Sequence, residues 1–321
     1  MISTAPGKLI LTGEYAVLDG APALVVAIDR RAIARLLTDS VRGSSPFLMA
    51  VANELAGRRG PDEATRAALE ISVDSSAFYD KAMKLGLGSS AAVTVAATAL
   101  ALGHTGNPLD LDEVFAISCA AHGNAQAPRG SRGSGADIAA AVYGGTLAFT
   151  MPGHSTHPVV RKRWPSSVTL LPFFTGVAAD TPALVARVAD ARATRPAAVN
   201  AALTAIADAS NLTIAAISGP PDITATAVIG ALGLAATAID RLEAASLVEL
   251  VPPQLAAARA AMARLGGTAK TTGAGGGDVA IAVIPATADA AAARDALTQI
   301  GCPPLALTVD DTGVDLRAAP S

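Results

Sequence analysis

Residues 84–103 read KLGLGSSAAVTVAATALALG, and the fold follows from how this stretch divides. Gly86 and Gly88 free the backbone of a short loop, and the small-residue run behind it reads as a helix. That helix is expected to end at Gly103, where a residue tolerating the left-handed conformation is needed. Ser89 or Ser90 is placed to cap its start. A glycine loop leading into a helix N-terminus aims first-turn amides at an anion in front of it, and the helix dipole helps. A serine hydroxyl there can also reach a magnesium ion bridging phosphates. The chain contains no GxxxxGK[ST] run, so this is not a Walker A loop. Taken alone, the stretch reads equally well as an ordinary loop before a serine-capped helix.

Two more glycine-rich segments lie far to either side: APGKLILTGEY at Ala5 to Tyr15 and GAGGGD at Gly273 to Asp278. Together the three suggest a phosphate site, because backbone amides approach a polyanion closely only where side chains are absent. GAGGGD has part of a dinucleotide fingerprint, but Asp278 stands where Gly or Ala is required, and the segment precedes a strand instead of following one. In the first segment, Lys8 to Leu11 and Tyr15 to Leu18 read as strands. Asp19-Gly20 reads as a hairpin turn into a strand from Ala23 to Ile28. Lys8 and Glu14 then sit on or beside a rigid sheet.

Further along, Pro46 to Gly57, Leu111 to Gln126 and Ala136 to Val142 read as helices. Ile71 to Val73, Phe78 to Tyr79, Thr146 to Phe149 and VTLLPFF from Val168 read as strands. Alanine-rich helices follow, then the strand DVAIAVI, a helix from Ala288 to Gln299 and a strand at Leu305 to Val309. No internal repeat is present. A chain of 321 residues exceeds one ordinary core, and the composition shift at Met151 to Pro165 is the expected lobe boundary. This gives an α+β protein with lobes at 1–155 and 156–321.

A net charge of -3, 3% aromatic residues and no basic run argue against nucleic-acid binding. Two distant cysteines outside any CxxC pair fit a reducing compartment, and the N-terminus lacks a secretory pattern; a cytoplasmic location is expected. Mean hydropathy is high, +0.43, and Ile223 to Ile239 carries no charge. That stretch falls short of the roughly 20 strongly apolar residues a bilayer needs and has no flanking belt, so a buried helix is expected and no membrane contact.

The remaining chemistry lies in AHGNAQAPRGSRGSGADIAAAVYGG, Ala121 to Gly145. Asp137 is either a helix cap or a buried functional carboxylate, and position alone favours the cap. Beside Lys8, such a carboxylate stays ionised and can orient a hydroxyl proton while the ammonium offsets charge on a moving phosphoryl group.

The segments at Ala5, Lys84 and Lys270 (KTTGAGGGDVAIAV), in this order, resemble the three motifs of the GHMP kinases. Lys84 before LGLGSSAA, AHGNAQ, GSGADIAAAVYGG and GGGD lean toward the phosphomevalonate kinases among them. The resemblance implies an N-terminal lobe similar to ribosomal protein S5 domain 2 and a ferredoxin-like C-terminal lobe, with ATP between. It implies ATP phosphates on Gly86, Leu87, Gly88, Ser89, Ser90 and Ala91, magnesium on Ser90, and catalysis by Asp137 and Lys8. The acceptor, a small phosphorylated acid, is expected near Ser134, Gly135, Arg132, Lys270, Gly273, Ala274 and Gly275. Gln126 stands where mevalonate kinases carry a magnesium-binding glutamate, and APRGSR brings Arg129 and Arg132 toward the site. Glu14 is read as a partner of Lys8 or a metal, Tyr15 as packing, and His122 as a helix hydrogen-bonding residue. Alternatives are another GHMP kinase for mevalonate, a sugar or homoserine, a decarboxylase of the same fold, or an inactive metabolite-binding regulator.

Overall fold

The computed structural model describes every residue except 38–44, 82, 105, 107, 220 and 319–321, and excludes the side chains of 221–224. From the N-terminus run β1 (Ile2–Thr12), β2 (Ala23–Leu36), α1 (Pro46–Arg59), α2 (Glu63–Ala68) and β3 (Ile71–Asp74). A small hairpin, β4 (Tyr79–Asp80) and β5 (Met83–Lys84), leads to α3 (Ser89–Gly103), α4 (Leu111–Gln126) and α5 (Ala136–Tyr143). Then come β6 (Thr146–Phe149), β7 (Val159–Lys162), β8 (Val168–Phe174), α6 (Thr181–Thr194), α7 (Pro196–Ala216) and α8 (Pro221–Ser246). The chain closes with α9 (Gln254–Ala263), β9 (Thr268–Thr271), β10 (Val279–Pro285), α10 (Ala290–Gln299) and β11 (Asp315–Arg317).

The first sheet has the order β11-β1-β2-β6-β7, with β3 paired to the far end of β2. Helix α3 lies in the centre of this lobe, against β1 and β2. Its alanines, threonines and serines permit that: only Ser90 and Val93 are not fully buried, and small side chains let backbones approach closely. The second sheet is β8-β10-β9. Pro304 bridges the free side of β8 at Phe173, which completes the strand sequence of a ferredoxin-like βαββαβ unit with α9 and α10 packed on each other.

Several sequence expectations change. Tyr15 to Leu18 is not a strand: Ala16–Asp19 forms a 3-10 turn that Gly20 closes in the left-handed region at φ 87°, so Asp19-Gly20 is a helix stop and not a hairpin turn. Gly103 is not left-handed; it is the last helical residue, and a β-carbon there would lie 2.2 Å from Leu316 Cδ2. Its smallness serves packing. Leu305 to Val309 is not a strand: it holds one isolated bridge, Val309 to Ile28, and a second, Pro304 to Phe173, lies just before it. The first sheet also takes in strands from beyond residue 155, since β7 pairs with β6 and β11 with β1. By length and composition α8 could cross a membrane. It packs along α7 and onto β8, β9 and β10, with Val228, Leu232, Ala235, Ile239 and Leu242 buried.

Candidate active site

Among the described residues, four helices start on an aspartate whose side chain accepts from first-turn amides: Asp62, Asp110, Asp180 and Asp289. Helix α3 does not. Its cap is Gly88, at φ 80° with no side-chain bond, and neither Ser89 nor Ser90 fills the role expected of it. The first-turn amides are thereby left without side-chain partners at the cleft. Gly88 is also required by close approach, since a β-carbon there would stand 2.9 Å from Lys8 Cγ. Strand β1 holds the loop from below: Lys8 N donates to Leu87 O at 2.9 Å, and Lys8 Nζ to Gly86 O at 3.4 Å.

Two cavities meet at Lys8 and Asp137. One, of about 380 Å³, is lined by Lys84, Gly86, Gly88, Ser90, Arg129 and Asp278 together with that pair. The other, of about 140 Å³, is lined by Glu14, Tyr15, Ser131, Gly133, Ser134, Gly273 and Ala274, again with Lys8 and Asp137. Gln126, Thr181 and Pro182 touch both. A larger cavity of about 890 Å³ lies against Phe115, Tyr143 and His157, away from these residues. Burial holds the Lys8 ammonium below the usual lysine range, and Asp137, then Asp278, offset part of that effect.

Asp137 is not the cap of α5. Gly135 is, at φ 86°, and Asp137 stands in the first turn, its Oδ1 accepting from Ile138 N at 3.0 Å. Behind it, His122 is buried at 2% exposure. Its Nε2 is hydrogen-bonded to Ser90 Oγ at 3.1 Å and lies 3.9 Å from Asp137 Oδ2. Gln126 Nε2 donates to the same ring at 3.0 Å, and Phe47 stacks on it at 5.4 Å. His122 therefore holds Ser90 and lies beside Asp137, where the sequence suggested only a helix hydrogen-bonding role.

The other predicted residues divide. Gly86, Gly88 and Ser90 line the larger cavity; Leu87, Ser89 and Ala91 are buried beneath it. Ser134, Gly273 and Ala274 line the smaller cavity. Gly135 packs toward Cys119 and Gly275 toward Leu250 O, so neither forms a wall. Arg132 donates to Asn124 Oδ1 at 2.7 Å and lies outside both cavities. Lys270 is the largest correction. It is 1% exposed, its Nζ donates to Glu14 Oε1 and to Thr271 O, and it lines neither cavity. Glu14 pairs with Lys270 and not with Lys8. Burial raises the Glu14 carboxyl above its ordinary value despite that partner, and Oε2 is buried without a protein partner.

Contacts between lobes are uneven. At the smaller cavity, the Glu14–Lys270 pair is joined by Tyr15 Oη donating to Ala274 O at 2.6 Å and Gly273 N to Ile10 O at 3.4 Å. At the larger cavity, Asp278 reaches Gly86, and exposed Arg129 meets Asp180 at 3.3 Å. Neither the lobe-spanning role of Glu14 and Tyr15 nor that of Asp278 was visible as a spacing.

Comparisons with known proteins agree with this arrangement. Residues 47–145 match the GHMP kinases N terminal domain and residues 225–301 the GHMP kinases C terminal domain. A phosphomevalonate kinase of Streptomyces sp. strain CL190 is 29% identical, over 92% of this chain and 91% of its own. A mevalonate kinase of Aeropyrum pernix is 28% identical over 54% of this chain and 57% of its own. The crystal structure of Streptococcus pneumoniae phosphomevalonate kinase in complex with phosphomevalonate and AMPPNP superposes with a TM-score of 0.77 at 19% identity, covering 96% of this chain and 99% of that one. With one matched domain in each half of the chain and the cleft residues Lys8, Ser90 and Asp137 brought together by the fold, the chain belongs to the GHMP kinases.

Proposed function

We propose that the protein transfers the terminal phosphoryl group of ATP to 5-phosphomevalonate, forming 5-diphosphomevalonate for isoprenoid precursor synthesis in the cytoplasm. The observation that carries this reading is that two cavities share one wall at Lys8 and Asp137. Nucleotide phosphates belong in the larger, against the loop from Gly86 to Ser90 and the uncapped start of α3. The acceptor belongs in the smaller. Its phosphate oxygen attacks the γ-phosphorus in line, and the bond to the β,γ-bridging oxygen breaks to release ADP. Asp137 orients the attacking oxygen, and Lys8 lies where charge develops on the transferring group. Glu14 Oε2, buried and unpartnered, is placed to accept from an acceptor hydroxyl.

The donor set fits magnesium. Ser90 and Asp137 offer hard oxygens on one wall, and Mg²⁺ is typically held by one or two carboxylates plus phosphate oxygens. Held by Ser90 and Asp137, such an ion would supply positive charge against the nucleotide phosphates. Gln126, its amide nitrogen held on His122, brings no charge.

ADP release measured with phosphomevalonate, mevalonate, galactose and homoserine tests the assignment. Turnover is expected with phosphomevalonate far above the rest. Preference for mevalonate moves the protein to another branch of its family, and no ATP-dependent turnover of any acceptor defeats the kinase reading.

A further inference from the structure

The larger cavity holds a charge conflict. Its floor is a loop suited to phosphate oxygens, yet a carboxylate from the second lobe lies on that floor: a β-carbon on Gly86 would come within 2.3 Å of Asp278 Oδ2. Asp278 is firmly held there. Its N donates to Val177 O at 2.6 Å, and its O accepts from Thr175 N at 2.9 Å and Thr175 Oγ1 at 3.0 Å. The backbone is left-handed at φ 53°, and Oδ1 accepts from Ala179 N at 3.2 Å. Oδ2 is the oxygen turned to the loop.

Two anions a few Å apart in a partly desolvated cleft repel strongly. Lys8 and Lys84 line the same cavity as Asp278, and their charges act on its carboxyl. A polyphosphate delivered to Gly86 would compete for both ammoniums. A divalent cation between carboxylate and phosphate converts this repulsion into two attractions, and hard carboxylate oxygen suits such an ion.

Resting on the kinase reading, we propose that Asp278 Oδ2 is a ligand of the nucleotide-bound divalent cation. It supplies from the second lobe the charged oxygen that Gln126 cannot, opposite Ser90 and Asp137 on the first. Metal-nucleotide then joins the lobes, whereas metal-free nucleotide meets a bare carboxylate.

The test compares ADP affinity, by calorimetry, with Mg²⁺ and with chelator, in the full chain and in Asp278→Asn. Asparagine tolerates left-handed backbone and keeps an oxygen for Ala179 N. Loss of a metal ligand is expected to weaken Mg²⁺·ADP at least about tenfold, while metal-free ADP binds as well as before or better. Mn²⁺ titrated into the ADP complex, read by its paramagnetic resonance signal, is expected to bind the variant correspondingly more weakly. Should the Asn variant fold poorly, Asp278→Gly, unstrained at this φ, gives the same readout. An unchanged ratio of the two ADP affinities overturns the inference and leaves the kinase reading standing. A wild-type protein that binds no ADP under either condition overturns both.

Discussion

At the scale of single residues, the proposed chemistry rests on groups that line the two cavities and on groups packed behind them. Asp137→Asn keeps the side-chain volume and the Ile138 contact but removes the negative charge. Turnover is expected to fall by about 10²–10⁴ with ATP binding nearly unchanged; steady-state kinetics beside equilibrium nucleotide binding checks this. Lys8, Ser90 and Asp137 were legible in the sequence because each stands in a segment whose glycines and helix start limit what it can do. Lys270 was not. A lysine three residues before a glycine run has the same appearance whether its ammonium meets ligand or a buried glutamate. Only the fold, which puts strand β9 behind Glu14, decides between them. Arg132 misled for a related reason: sequence gives a charge and not its direction, and this guanidinium turns back to Asn124 on α4.

At the scale of elements, the buried pair couples the end of β1 to β9. Glu14 and Lys270 side chains are each 1% exposed, and removing one partner strands the other charge in a poorly solvated place. Glu14→Gln is expected to lower unfolding free energy by about 3–5 kcal/mol. Adding Lys270→Met to Glu14→Gln should recover much of that loss, and chemical denaturation of the two variants measures the difference. Element types were readable where periodicity and caps agreed, as at Leu111–Gln126, where Asp110 accepts from Asp112 N and Glu113 N. They were not readable where a turn's hydrogen bonds override residue preference. Tyr15 stands at φ 61°, a conformation that its side chain disfavours, held by a phenol bonded across the cleft.

At the scale of the whole molecule, the chain returns to its beginning. Ile2, Ser3 and Thr4 pair with Arg317, Leu316 and Asp315, and Leu316 packs on Gly103 at the end of the central helix. Removing residues 315–321 is therefore expected to destabilise the first lobe by roughly 2 kcal/mol, from one lost apolar side chain and a few edge bonds. A lower urea midpoint for the truncated chain checks this. A last strand that joins the first across the full length of the chain has no local signature, which is why the boundary at 155 looked clean in the composition. The same view shows how the cleft can work. Its smaller cavity is fastened by a buried ion pair and two further bonds, whereas its larger cavity is crossed by an exposed pair of the kind worth little in water and by Asp278 leaning on Gly86. Such a clamp has one fastened jaw and one lightly held jaw: the lobes are bonded firmly around the smaller cavity and lightly across the larger.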